Sequence, residues 1–265
     1  MRHILVGFAA FTRSELANLF QYRVMMFLYA LWDVVNPIIY LIVWSLVAGE
    51  RQISGFSRDD FIMYYLVFMV VSHLALAIEV YTFGPLIERG QLSPRLLRPI
   101  HPWWHAAAVN ISYKVVNLIM LIPVWIGLFL VLRPAFPGDW ITVALFLPAL
   151  AAAIVLSFFI GSLFAMLAFW TTRSFSFWQI WTSLLFLMGG QVAPVAVLPG
   201  FVRDVAVALP ARYALGFPVE VILGQLDAGE LVMGFAMQAG WIALAALAFA
   251  FVWRSGIKRY SAVGA

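Results

Sequence analysis

The chain has 265 residues, 65% of them hydrophobic, 16% aromatic and only 11% charged. A soluble domain carries about 25% charged residues, so sixteen Lys and Arg with twelve Asp and Glu cannot coat a soluble fold of this length. The sequence is that of an integral membrane protein, and its long unalternating apolar runs exclude a β-barrel, whose strands alternate over about 10 residues. The absence of cysteine excludes disulfides, thiol catalysis and cysteine metal sites.

The predicted fold is all-α and forms a single transmembrane domain over 1–265. Residues 4–22 predict an amphipathic elbow helix, with Leu5, Phe8, Leu16, Leu19 and Phe20 at helical spacing beside Arg13, Glu15 and Arg23. Arg13 and Glu15 interrupt any signal-peptide core there. Crossing about 30 Å of hydrocarbon takes roughly 20 apolar residues, and six runs meet that length: 24–48, 61–86, 105–132, 140–170, 175–198 and 231–253. The fifth is interrupted by Gly189, Gly190 and Pro194; no matching break is read in the first half of the chain.

Three spans carry polar groups whose placement in lipid is costly: Asp33 with Asn36 and Pro37 in the first, Glu79 with His73 in the second, and Lys114 with Asn110 and Asn117 in the third. Asn110, Lys114 and Asn117 form one stripe at i, i+4, i+7, which must face protein or water. The plainer reading pairs Asp33 or Glu79 with Lys114 to join helices; the sharper one gives them a transport role.

Between the second and third spans, 87–104 is a polar loop in which Ser93 is a candidate N-cap and Pro94 a first helical residue. A helix of about one turn there presents Arg95 and Arg98 beside Leu96 and Leu97, an apolar knob with a charged rim suited to docking in a groove of a partner. Residues 199–229 alternate Pro and Gly breaks with apolar stretches, which predicts short re-entrant helices packed on the bundle.

Basic residues mark cytoplasmic ends. Arg2, Arg13, Arg23, Arg89, Arg95, Arg98, Arg173, Arg254, Lys258 and Arg259 fall on one side, against Arg51, Arg58, Arg133, Arg203 and Arg212 on the other. Both termini are therefore expected in the cytoplasm, and the basic surplus needs no nucleic-acid partner. Neither lysine stands in a P-loop, there is no G-x-S-x-G or H-E-x-x-H motif, and His101 and His105 are separated by Pro102. The chain is not expected to be an enzyme or to hold a metal or cofactor.

The order of these features carries a resemblance. The basic elbow helix, six spans, the loop Glu88-Arg89-Gly90-Gln91-Leu92 through Leu97-Arg98-Pro99, the segment with Pro194, Leu198-Pro199, Leu209-Pro210 and Phe217-Pro218, and the terminal Gly256-Ile257-Lys258-Arg259-Tyr260 together resemble bacterial ATP-binding-cassette type-2 permeases, often encoded in pairs beside an ATPase. The resemblance covers essentially the whole chain. It implies half of an exporter in the bacterial inner membrane, with a second permease subunit, related or identical, facing it. Glu88, Arg89, Gln91, Leu92, Arg95, Leu96, Leu97 and Arg98 would then contact a separate ATPase, which holds the ATP and magnesium. The cargo would pass along the first, second and fifth spans. The competing class is an ion- or proton-coupled carrier using Asp33, Glu79 and Lys114, which would need matching broken helices in two halves.

Overall fold

The computed structural model describes residues 2–261 and shows no strand among them, only an isolated bridge between Ile53 and Phe56. Side chains of residues 2–5 lie outside the described part, as does that of Asp33, so its predicted role lies outside the described residues. Helix α1 (Arg2–Gln21) is separated by Tyr22 from α2 (Arg23–Ala48). α1 crosses the first turns of the later helix α7 (Pro102–Leu132): Phe8 meets Trp104 edge to face, and Ser112 Oγ donates to the Thr12 carbonyl at 3.3 Å.

α3 (Arg58–Leu74) starts from a capping box of Ser57 and Asp60 and is the centre of the bundle, every residue from Phe61 to Met69 being buried. A helix apolar on all sides has to be enclosed by others, and α2, α7 and the later α12 (Gly216–Ile222) enclose it. The second span is not the continuous helix expected over 61–86. It unwinds over 75–78 and resumes as α4 (Glu79–Thr82) and α5 (Gly84–Glu88). Pro85 accounts for the second break, since it cannot donate to the carbonyl one turn earlier. The first break falls where Glu79 turns inward to accept from Asn110 Nδ2 at 2.5 Å. A break in the first half of the chain, which the sequence did not predict, is therefore present.

α6 (Ser93–Leu96) is the single turn expected in the loop, followed by α7, α8 (Trp140–Met166), α9 (Ser174–Met188), α10 (Gly200–Ala208), α11 (Pro210–Ala214), α12 and α13 (Ala228–Gly256). Among the described residues, five helical segments are long and apolar enough to cross a membrane: 23–48, 58–88, 102–132, 140–169 and 228–256. The predicted fifth span is a shorter helix than expected. The 15 residues of α9 cover about 22 Å, and the irregular stretch after Gly189 carries the chain further. There the Val192 carbonyl accepts from Trp44 Nε1 and Tyr65 Oη at 2.7 and 2.9 Å, and the Gly190 carbonyl from Tyr64 Oη at 2.8 Å.

The predicted short helices of 199–229 are present as α10, α11 and α12. They are fixed from two sides. Gln238 Nε2 of α13 donates to the Ala149 and Tyr213 carbonyls, both at 3.0 Å, joining α13, α8 and α11. Arg212 and Glu220 form a buried ion pair at 2.6 Å, their side chains 11% and 5% exposed.

Candidate functional site

Two regions bring the sequence-selected residues together: the loop at the end of the bundle that carries the termini, and a cleft inside it.

The loop is clamped on three sides. The Tyr260 hydroxyl accepts from the backbone N–H groups of Leu92 and Ser93 at 2.9 and 3.1 Å, so it satisfies the first amides of α6. Ser93 was expected to cap this helix. It is instead the first helical residue, and Tyr260, 167 residues away, takes the capping position. Ser174 Oγ at the start of α9 donates to Glu88 Oε1 at 2.8 Å. On the third side Arg95 Nη1 lies 2.6 Å from His105 Nδ1, and His105 Nε2 lies 3.5 Å from Glu15 of α1. Burial, then the neighbouring Arg98 guanidinium, lower the Arg95 pKa from its ordinary value, and Glu15 works in the opposite direction. Arg98 sits over the Phe11 ring at 5.9 Å.

This scaffold decides which loop residues reach solvent. Leu97 is 87% exposed and Leu96 38%, while Arg89, Gln91 and Arg98 are exposed around them. Leu92 is wholly buried and Arg95 half-buried, so these two hold the loop and do not present a surface. Of the two leucines read as a knob, Leu97 projects. Tyr260 was legible only as part of a terminal motif without a role; nothing in the sequence pairs it with Ser93.

The cleft, about 210 Å³, lies between α2, the unwound segment 75–78, α8 and α9. Trp32, Asn36 and Pro37 contribute from α2, Ser72 and His73 from the end of α3, Ser157 from α8, and Trp178, Trp181 and Thr182 from α9. The spans expected to form a pathway thus share one cavity. The tryptophans of α9 were not singled out from the sequence, where aromatic belts explain such residues equally well.

Behind the unwound segment the predicted polar residues of the second and third spans meet. Glu79, Asn110, Lys114 and Asn117 are all buried. The expected Glu79–Lys114 pair is not a direct contact: Glu79 Oε1 accepts from Asn110, and among the described residues Lys114 Nζ and Glu79 Oε2 have no hydrogen-bond partner. Asn117 Nδ2 turns to the Tyr113 carbonyl of its own helix at 3.0 Å. Asn36 belongs to the cleft and is exposed there. Gly161 of α8 makes the seat for Glu79, since a Cβ at that position would collide with the carboxylate and with Ala77. A glycine inside an apolar run gives no sequence sign of that task.

Among the described residues no cluster of three His, Asp or Glu could hold a metal ion. A search of curated proteins returned no match. A family model described as ABC-2 family transporter protein matches residues 34–264, which takes in the cleft apart from Trp32, the clamped loop and every long helix after α2 begins. Joined to the all-helical, multi-pass architecture, that match makes the chain a membrane permease of the ABC-2 transporter family.

Proposed function

We propose that this chain is the transmembrane half of an ATP-driven exporter, working with a second permease subunit and drawing energy from a separate ATPase bound at 87–104. The observation that carries the reading is the contrast within that loop. A 4-residue helix is too short to hold itself in water, yet it is fixed by Tyr260, by Ser174 through Glu88, and by His105 through Arg95. The same loop holds Leu97 in solvent at 87% exposure. Rigid support behind an exposed apolar side chain is what a docking contact needs, because little ordering remains to oppose binding.

The mechanics follow from connectivity. The loop continues directly from α5 and α4 to the unwound segment that walls the cleft. A displacement of the loop on ATP binding would reach the cleft through two short rods, and Glu79 would hold their upper end to α7. ATP binding shifts the population between inward-open and outward-open arrangements by favouring one of them. The chain itself then needs no catalytic residue.

The break at 75–78 with a buried Glu79 also favours a second reading, since a coupled carrier needs unwound helix beside an ionisable group. A pull-down from native membranes in mild detergent, with mass spectrometry of the co-purifying chains, separates the two. Recovery of a P-loop ATPase supports the exporter. Purification of the chain alone overturns it in favour of the carrier.

A further inference from the structure

Two opposite charges, Glu79 and Lys114, lie buried behind the cleft, close enough to act on each other through space, yet they do not touch. Glu79 Oε1 accepts from Asn110 Nδ2 at 2.5 Å, while among the described residues Glu79 Oε2 and the Lys114 ammonium have no hydrogen-bond partner. Leaving a buried charge without a partner is strongly unfavourable, and joining these two would relieve both at once. The arrangement therefore holds a contact in reserve.

The surrounding elements are built so that the contact can form. Asn110 and Lys114 stand one turn apart on the same face of α7, a rise of about 6 Å. Helical side chains lean toward the N-terminus, which brings Lys114 back toward Asn110. Glu79 heads α4, and the slack lies just before it. Leu76, Ala77 and Ile78 make no backbone hydrogen bond through their N–H groups, so α4 and α5 can shift against α3 without breaking a helix. On the other side Oε2 lies against Gly161 of α8, where no side chain fixes the carboxylate in place.

We propose that Glu79 is a two-position latch, bonded to Asn110 in the arrangement described here and passing to Lys114 when α4 moves along α7. The proposal rests on the reading that an ATPase displaces the loop, since the loop continues into α5 and α4. The travel needed is no more than about 6 Å, the rise between the two partners. Exchange of partners turns that travel into a step between two discrete positions, because a carboxylate halfway between them has neither. The exchange transfers no proton, so Glu79 and Lys114 serve conformational coupling and not carrier chemistry.

Lys114 and Lys258 are the only lysines in the chain, which permits a direct distance measurement. In Lys258→Arg, with isotope-labelled nitrogen at lysine Nζ and isotope-labelled carbon at glutamate Cδ, Lys114 is the one labelled amine. Rotational-echo solid-state NMR of the full chain in lipid then reads its separation from Glu79, and Glu79→Gln, grown with unlabelled glutamine, assigns the signal. Dephasing should be weak in the isolated chain and in the resting complex with the ATPase, and strong, as for an ion pair, in the complex trapped with ATP and vanadate. In the isolated chain Asn110→Leu removes the first position and should move the population toward Lys114 by about tenfold, the range for loss of a hydrogen bond to a charged group. Strong dephasing in the isolated wild type, or wild-type dephasing in Asn110→Leu, would overturn the latch. Weak dephasing in a trapped complex that hydrolyses ATP would also overturn it while leaving the exporter reading in place, and this arm needs no variant in the bundle. If no ATPase assembles with the chain, the exporter reading fails, and strong dephasing in Asn110→Leu would still support the latch.

Discussion

Replacing Arg212 by Met isolates the contribution of the buried pair that fixes the short helices α11 and α12. Arg212 donates to Glu220 Oε2 through Nε at 3.0 Å and Nη2 at 2.6 Å, and both side chains are nearly out of solvent. Burial alone would lower the Arg212 pKa; the Glu220 carboxylate outweighs it and raises the pKa above its ordinary value. Methionine keeps much of the packing against the Tyr213 and Phe217 rings, which lie 5.7 and 6.0 Å from the guanidinium carbon, and removes the charge. Glu220 is then left as a buried carboxylate without a cation, a change that costs about 3–5 kcal/mol. At roughly 2–4 °C per kcal/mol for a chain of this size, thermal unfolding followed by tryptophan fluorescence should begin about 10 °C earlier. The double variant Arg212→Met with Glu220→Leu removes both charges and should recover most of that loss, because an apolar pair of similar volume replaces an ion pair at little cost. Unaltered stability of Arg212→Met, or a double variant as unstable as the single one, would refute the reasoning.

Two further substitutions test the supports of the loop and the cleft. Tyr260→Phe removes the acceptor for the Leu92 and Ser93 amides. Hydrogen exchange at 92–96 should accelerate by about tenfold, as expected for loss of 1–2 kcal/mol locally, with the unfolding temperature little changed; unchanged protection would remove Tyr260 from its capping role. Gly161→Ala places a Cβ against Glu79 Oε2 and the Ala77 side chain. The unfolding temperature should fall, further for Gly161→Val, by the about 1–3 kcal/mol typical of overpacking. Wild-type stability in both variants would contradict the close seat described for Glu79.

How much of this was legible in the sequence depended on whether a feature was local. The length of an apolar run fixes a membrane helix from within, so 24–48, 105–132, 140–170 and 231–253 match long helices within a few residues at each end. Capping boxes at Ser57, Asp139 and Asp227 are equally local, although the sequence reading did not single them out. The unwinding at 75–78 is not. Its residues, Ala75-Leu76-Ala77-Ile78, include neither proline nor glycine, and it falls where Glu79 accepts from Asn110 of another helix. The stripe of Asn110, Lys114 and Asn117 was visible from spacing, but which member would meet Glu79 depended on how α4 lies on α7. The loop was readable as an exposed turn because its Pro and Arg residues are local signals. Its three clamps were not, since Tyr260, Ser174 and Glu15 approach from distant parts of the chain.

The central claim, that this permease is driven by an ATPase docked on the loop, is tested most directly at Leu97. This side chain is 87% exposed, so Leu97→Asp leaves the fold of the chain intact and acts only on what covers it. Burying a leucine is worth about 1.5–3 kcal/mol, so the ATPase should bind the variant at least tenfold more weakly. The measurement is ATP hydrolysis by the purified complex reconstituted in lipid, wild type against Leu97→Asp, across a range of ATPase concentrations. We expect the half-maximal ATPase concentration to rise at least tenfold while membrane insertion and unfolding temperature stay as in the wild type. A Leu97→Asp complex that assembles and hydrolyses ATP at the same concentrations as the wild type would contradict the account.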